Sequence, residues 1–183
     1  MMSSKNKSGF SIIETIVAIA LLMLVLTGAT SLVNLSLRTI TTFRDELTAT
    51  MLAQEGAEYI RWKRDSNRIA SSNPNNWMDN ILVKGSAPCN GSACIAQLST
   101  ATGNVTFSKC TGGPCPPLRF NSTTGIFSYE MSGTMVTPFI RTIEVTEITT
   151  HKEVRVRSTV TWPRRFGVGV KSVVVEEILL NWQ

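Results

Sequence analysis

A chain of 183 residues, 43% hydrophobic and 17% charged, has the composition of one folded unit, which excludes a disordered polyelectrolyte. Its formal net charge of +5 is mild basicity, the ordinary state of a solvated surface, and does not call for an acidic partner. The apolar residues are unevenly placed: residues 10–37 hold fifteen Phe, Ile, Leu or Val and one charge, Glu14. By length and content that stretch is a membrane segment. A charge in mid-membrane costs roughly 3 kcal/mol, and each large apolar residue returns about 0.3–0.6 kcal/mol, so fifteen of them outweigh one carboxylate. Insertion survives Glu14 but does not explain it, because Val or Leu at that position inserts better.

The flanks set the orientation. The leader MMSSKNKSG carries Lys5 and Lys7 and no acid, and the first basic residue beyond the segment is Arg38. The positive-inside rule then places the N-terminus in the cytoplasm and the rest of the chain outside. A secretory signal cut near TGAT, or an uncut signal anchor, fits the apolar run but leaves Glu14 without a role. The order of residues is more specific: a short basic leader, Gly9, Phe10, and a run whose fifth residue is Glu14. The stretch GFSIIE resembles the leader and cleavage motif of type IV prepilins, the family that includes the pseudopilins. The resemblance implies cleavage after Gly9 by a membrane-embedded prepilin peptidase and N-methylation of the new terminal Phe10. It implies that Glu14 acts in assembly, facing the terminal ammonium of a neighbouring subunit. The partners it implies are other pilin subunits and an inner-membrane assembly platform. The location it implies is a single-pass inner-membrane protein that passes into an extracytoplasmic filament or to the cell surface.

Further along, the pattern becomes amphipathic. Ile40, Phe43, Leu47 and Met51 recur at spacings of three and four, with Arg44, Asp45, Glu46, Glu55 and Glu58 largely off that face. No proline interrupts before Pro74, so one helix from Phe10 to about Arg64 is expected, roughly 80 Å long at 1.5 Å per residue. Half of it spans the membrane, and the apolar stripe of the other half is expected to be covered by the rest of the chain. The stretch LAQEGAEYIRWKRDSN, residues 52–67, is similar to the helix end in a subgroup of minor pilins and pseudopilins.

Beyond Asn67 the polar SSNPNN interrupts the helix. Asn73 and Pro74 suit the cap and first position of a short helix ending near Gly85. Residues 85–117 are rich in Gly, Pro, Ser and Cys. In LRFNSTTGIFSYE a turn at residues 123–125 separates two β-rich arms. Strands are expected over 139–148 and 170–182, and between them Val154, Val156, Val160 and Trp162 alternate with polar residues, marking a half-buried strand. The fold class is therefore α+β: a long N-terminal helix packed on a four- or five-stranded C-terminal antiparallel sheet, an order that resembles the pilin fold. The expected divisions are a cleaved leader at 1–9, the membrane and assembly half of the helix at 10–37, the amphipathic half at 38–66 and a globular head at 67–183. Within the head, 85–117 is a cysteine-bearing loop and 118–183 the sheet.

Cys89, Cys94, Cys110 and Cys115 form two C-x4-C pairs outside the cytoplasm, where disulfides persist. Four thiolates also suit zinc, but the C-x2-C spacing of common zinc modules is absent, and disulfides are the favoured reading. Local loops and a nested pair, 94 with 110 and 89 with 115, both remain open. The nested pattern is favoured, because CIAQL and VTFSKC look like hairpin arms symmetric about Thr102. Catalysis finds little support: the lone histidine, His151, falls in an expected hairpin turn, and no catalytic set, phosphate loop or metal-ligand motif appears. No cofactor or metal is expected, and the chain reads as a substrate of an enzyme. The segment WPRRFGVGVK offers Arg164, Arg165 and Lys171 with Trp162 and Phe166, residue types that can contact DNA at a filament tip, but a plain solvated turn between two strands is the favoured reading. The favoured function is a structural subunit of a type IV pilus or related filament, with a minor pilin as the favoured role. The alternatives are a type II secretion pseudopilin and a DNA-binding competence-type minor pilin.

Overall fold

The computed structural model describes residues 9, 11–83, 87–99 and 102–181. Phe10, Lys5, Lys7 and Gly85 lie outside the described residues. The chain divides into two units, Met1–Phe43 and Arg44–Gln183.

The first unit carries the start of one helix, α1, Ile12–Ala70. The Ser11 carbonyl opens its ladder by accepting from the backbone N–H of Glu14 at 3.0 Å and of Thr15 at 3.2 Å. Every threonine in this part bonds back to a carbonyl of the preceding turn, as Thr15 does to Ile12 at 2.7 Å and Thr27 to Met23 at 3.0 Å. A hydroxyl satisfied in this way needs no partner in the surrounding medium, which is the condition for carrying it through hydrocarbon.

In the second unit α1 continues to Ala70 and packs on a sheet. Its buried side is Ala49, Leu52, Ala53, Gly56, Ala57 and Ile60, again at spacings of three and four, with Arg64 closing the row. This corrects the expectation that the head covers the large apolar stripe. Ile40, Phe43, Leu47 and Met51 are all more than half exposed. The reason is steric: a face of Ala and Gly lets the helix backbone approach the sheet far more closely than Leu, Met and Phe allow. The closest approach is at Gly56, where an added Cβ would stand 2.4 Å from Ser158 Oγ and 3.0 Å from Arg141 Cδ.

The helix also runs past its expected end near residues 64–66. The Asn67 amide donates to the carbonyls of Trp77 at 3.2 Å and Asp79 at 3.0 Å, and Arg68 donates to Asn181 Oδ1, so the last turn is held by the head. The expected short helix shrinks to a 3-10 turn, Pro74–Asn76, capped as anticipated by the Asn73 side chain accepting from the Asn75 N–H. Asn80 takes a left-handed φ of 63° and its N–H bonds to the Val83 carbonyl, which turns the chain out of helical geometry. Trp77, Met78, Ile81 and Leu82 are all buried by this irregular segment, which plugs the core beside Ile60.

The sheet has seven strands, not four or five: β1 Cys94–Leu98, β2 Val105–Lys109, β3 Pro117–Asn121, β4 Ile126–Ser128, β5 Met135–Thr149, β6 Glu153–Pro163 and β7 Val170–Leu180. The two extra strands lie inside the segment read as a cysteine-bearing loop. All pairings are antiparallel. β5 is the centre: β6 lies along one side of it, and β3 and β1 share the other, at Pro117↔Ile140 and Cys94↔Ile143. β7 pairs only with β6 and forms one edge. The expected alternation holds on β6, where Val154, Val156, Val160 and Trp162 are buried and Arg155 and Arg157 are exposed. His151 is exposed in the β5–β6 turn.

The cysteine pairing is corrected as well. β1 and β2 do form a hairpin, but its register sets Cys94 against Lys109, and the Cys110 N–H bonds to the Ala93 carbonyl at 2.9 Å. Neighbouring positions on a strand face opposite sides of the sheet, so this one-residue offset points Cys94 and Cys110 apart. The bridges are therefore local, Cys89–Cys94 and Cys110–Cys115, each with Cα atoms 5.1 Å apart, inside the range a disulfide spans. All four thiols are consumed, which leaves no thiolate for zinc.

Candidate functional site

Two regions carry the chemistry, one in each unit. In the first, Gly9 is exposed and Glu14 stands in the first turn of α1, also exposed, and its carboxylate meets no cation among the described residues. From residue 12 to residue 37 each large apolar side chain is more than half exposed. Those 26 positions make a helix of about 39 Å, longer than a bilayer core of about 30 Å. An uncovered apolar cylinder of that size belongs in a membrane or against other helices, and the one carboxylate near its start is the part that needs a partner.

In the second unit the head is tied to its helix by Arg141. Phe139, Arg141, Ile143 and Val145 alternate on the inner face of β5, and all four are buried. The Arg141 guanidinium donates to the Leu52 carbonyl at 3.2 Å, to Glu55 Oε2 at 2.8 Å and to the Ala96 carbonyl at 3.1 Å. It also lies 5.3 Å from the centre of the Tyr59 ring and 6.0 Å from that of Tyr129. One side chain thus links α1, β1 and β5 with the segment after β4. The Tyr59 hydroxyl donates to Glu55 Oε1, and that of Tyr129 to the Arg141 carbonyl. Burial pushes both tyrosine hydroxyls above their ordinary pKa, and the bond to Glu55 with its negative charge lifts Tyr59 further, while Arg141 opposes the rise in both. Sequence reading passed over Arg141. Its parity with Phe139, Ile143 and Val145 was the available signal.

The basic turn after β6 is assembled differently from a free cationic patch. Arg165 donates to both carboxylate oxygens of Asp45 at 3.1 Å, and Lys171 lies 3.7 Å from Glu46. Trp162 is buried against Phe139 in the core, away from any stacking surface. Arg164, Arg165 and Phe166 are all exposed at the turn, but Arg165 already faces a carboxylate.

An apolar N-terminal helix, long enough to cross a membrane, in one chain with a disulfide-bonded antiparallel head is a pilin-like α+β architecture. The N-terminus makes the class specific. The family model for the prokaryotic N-terminal methylation motif matches residues 4–30, the signature of type IV pilins and pseudopilins. Comparison with curated proteins and with solved structures found no match.

Proposed function

We propose that this chain is a structural subunit of a type IV pilus or related envelope filament. It waits in the cytoplasmic membrane with its N-terminus inside, is cut after Gly9 by a prepilin peptidase, is N-methylated at Phe10 and polymerises through α1. The observation that carries this reading is the helix surface that the head leaves bare. The sheet takes the small-residue face, while Leu47 and Met51 beside it, like the apolar residues of 12–37, stay exposed. Apolar helix surface of this kind is buried when neighbouring subunits pack side by side.

Glu14 then has its task. Cleavage after Gly9 creates an ammonium on Phe10, and lateral packing carries one chain's Glu14 into an apolar interior beside its neighbour's terminus. A carboxylate buried alone is strongly disfavoured and an opposite charge at hydrogen-bonding range compensates it, so the pair sets register as well as stability. The chain's own part is structural: it supplies surfaces and one charge. The similarity of residues 52–67 to minor pilins supports a minor role in the filament.

The test compares Glu14→Val with Ile16→Leu. Glu14→Val leaves membrane insertion and cleavage intact and removes the protein from sheared filaments, whereas Ile16→Leu leaves all three unchanged. Mass spectrometry of the N-terminal peptide finds methylated Phe10. Wild-type amounts of the Glu14→Val protein in filaments, or a mature terminus near Ser31, would overturn the reading.

A further inference from the structure

β7 pairs with β6 through eleven consecutive positions, from Val170↔Pro163 to Leu180↔Glu153, with no bulge. On its other side no strand lies among the described residues, so about half of its backbone N–H and C=O groups point to an open edge. Folded proteins blunt such an edge with a proline, a bulge, a short strand or an inward-pointing charge. β7 has no proline and no bulge, and its two inward charges are already met from α1: Lys171 lies 3.7 Å from Glu46, and Glu177 accepts from Arg61. Its outward face shows Val170, Val174 and Ile178, each half or more exposed, and Leu180, slightly less so. A long, regular, apolar edge of this kind is a template for another strand.

Length selects the occupant. The other ends of the sheet are β2 and β4, five and three residues long. Neither can cover the eleven residues of β7, and a second β7 can.

Two copies of β7 can pair antiparallel about a two-fold axis normal to the sheet, which keeps both inward faces on one side. Directly opposite residues share a face, so the axis falls on a residue. With Val174 on the axis, Val170 stands opposite Ile178 of the second copy and Val173 opposite its Val175, which joins the two outward apolar rows. Ser172 then meets Glu176 of the second copy, a carboxylate for its hydroxyl. Lys171 meets Glu177, so that Glu46, Lys171, Glu177 of the second copy and its Arg61 alternate in sign across the joint, twice by symmetry. Moving the axis to Val173 or Val175 sets Lys171 opposite Val175 or Leu179 and breaks this order of charges. The sequence of β7 is therefore self-complementary in one register.

We propose that the head binds a second copy of this chain edge to edge through β7, with Val174 on the two-fold axis, so that the two sheets become one. The two-fold reverses every direction in the plane of the sheet, and the parts of α1 packed on the two sheets run opposite ways. Successive subunits of one filament all point the same way, so this contact lies outside the filament's own repeat. It needs the head alone and stands or falls apart from polymerisation through α1.

All four cysteines are in disulfides, so an added one can be oxidised alone. Val170→Cys, Val174→Cys and Ile178→Cys, each in the full chain in detergent, are treated with copper phenanthroline and run on non-reducing gels. Directly opposite residues of antiparallel strands have Cα atoms about 4.5–5.5 Å apart, inside the range of a disulfide. Val174→Cys is expected to form a covalent dimer several-fold faster than either other variant alone, because residues 170 and 178 each lie about 27 Å from their own symmetry mates, eight positions at about 3.4 Å. A mixture of Val170→Cys and Ile178→Cys is expected to link as fast as Val174→Cys does. Adding Val174→Lys to both members of the mixture sets two ammonium groups together on the axis and abolishes the link, while the head's urea transition is unchanged because Val174 is outside the core. Equal rates for the three single variants, a mixture no faster than its components, or a mixture that still links with Val174→Lys overturns the proposal.

Discussion

Replacing Arg141 by Met keeps the stem and removes the guanidinium from the centre of the head. The variant loses an ionic bond to Glu55 and two bonds to the carbonyls of Leu52 and Ala96. All three bonds come from the charged guanidinium, and at the low end of about 1.5–3 kcal/mol each they make a gross loss of about 4.5 kcal/mol. Two effects reduce it. Met carries no desolvation penalty, and the Glu55 side chain is 33% exposed, so its carboxylate rehydrates instead of remaining buried alone. The expected net loss is about 2–3 kcal/mol. Urea unfolding of the full chain in detergent, with disulfides intact, reads it through Trp77 and Trp162, which are buried in the two separate core clusters. Glu55→Gln costs less, and in the double variant the two losses sum to less than their separate values, because one interaction is removed twice. A stability within about 0.5 kcal/mol of wild type, or strict additivity, would refute the claim that Arg141 fastens helix to sheet.

Gly56→Leu forces α1 off the sheet at Ser158 and Arg141 and is expected to cost at least about 3 kcal/mol in the same assay, whereas Gly28→Leu, with open space around it, leaves the head's transition unchanged. Non-reducing peptide mapping is expected to find Cys89 joined to Cys94 and Cys110 to Cys115. Removing either bridge costs about 2 kcal/mol through loop closure. The 89–94 pair costs more than the other, because both its cysteines are fully buried. Alkaline pH is expected to weaken the head: Tyr59 and Tyr129 ionise above their ordinary value in the fold, so the unfolded chain releases protons first, and the stabilisation present below pH 10 is lost as pH rises beyond it. Urea midpoints from about pH 9 to about pH 11 measure this, and Tyr59→Phe flattens the decline.

Patterns that depend on residues near one another in the chain were readable from the sequence alone. The leader, Gly9 and Glu14 before an unbroken apolar run define the motif at residues 4–30, and an uninterrupted helix follows from the absence of proline up to Pro74. The alternation of Val154, Val156, Val160 and Trp162 located β6 and its buried side, because a strand's side chains switch faces at every residue. What depends on distance across the fold was decided by tertiary structure. Periodicity marks Ile40, Phe43, Leu47 and Met51 as an apolar stripe, but a stripe does not state whether it meets its own head or another chain. The sheet chose the Ala and Gly face, because packing rewards the closest backbone approach. Disulfide pairing turned on a one-residue register offset between β1 and β2, a quantity that symmetric spacing about Thr102 could not supply. Arg141, a charged residue that composition would place at the surface, is buried because its three acceptors come from helix and strand positions 45 to 89 residues away, brought together only when the sheet closes on α1.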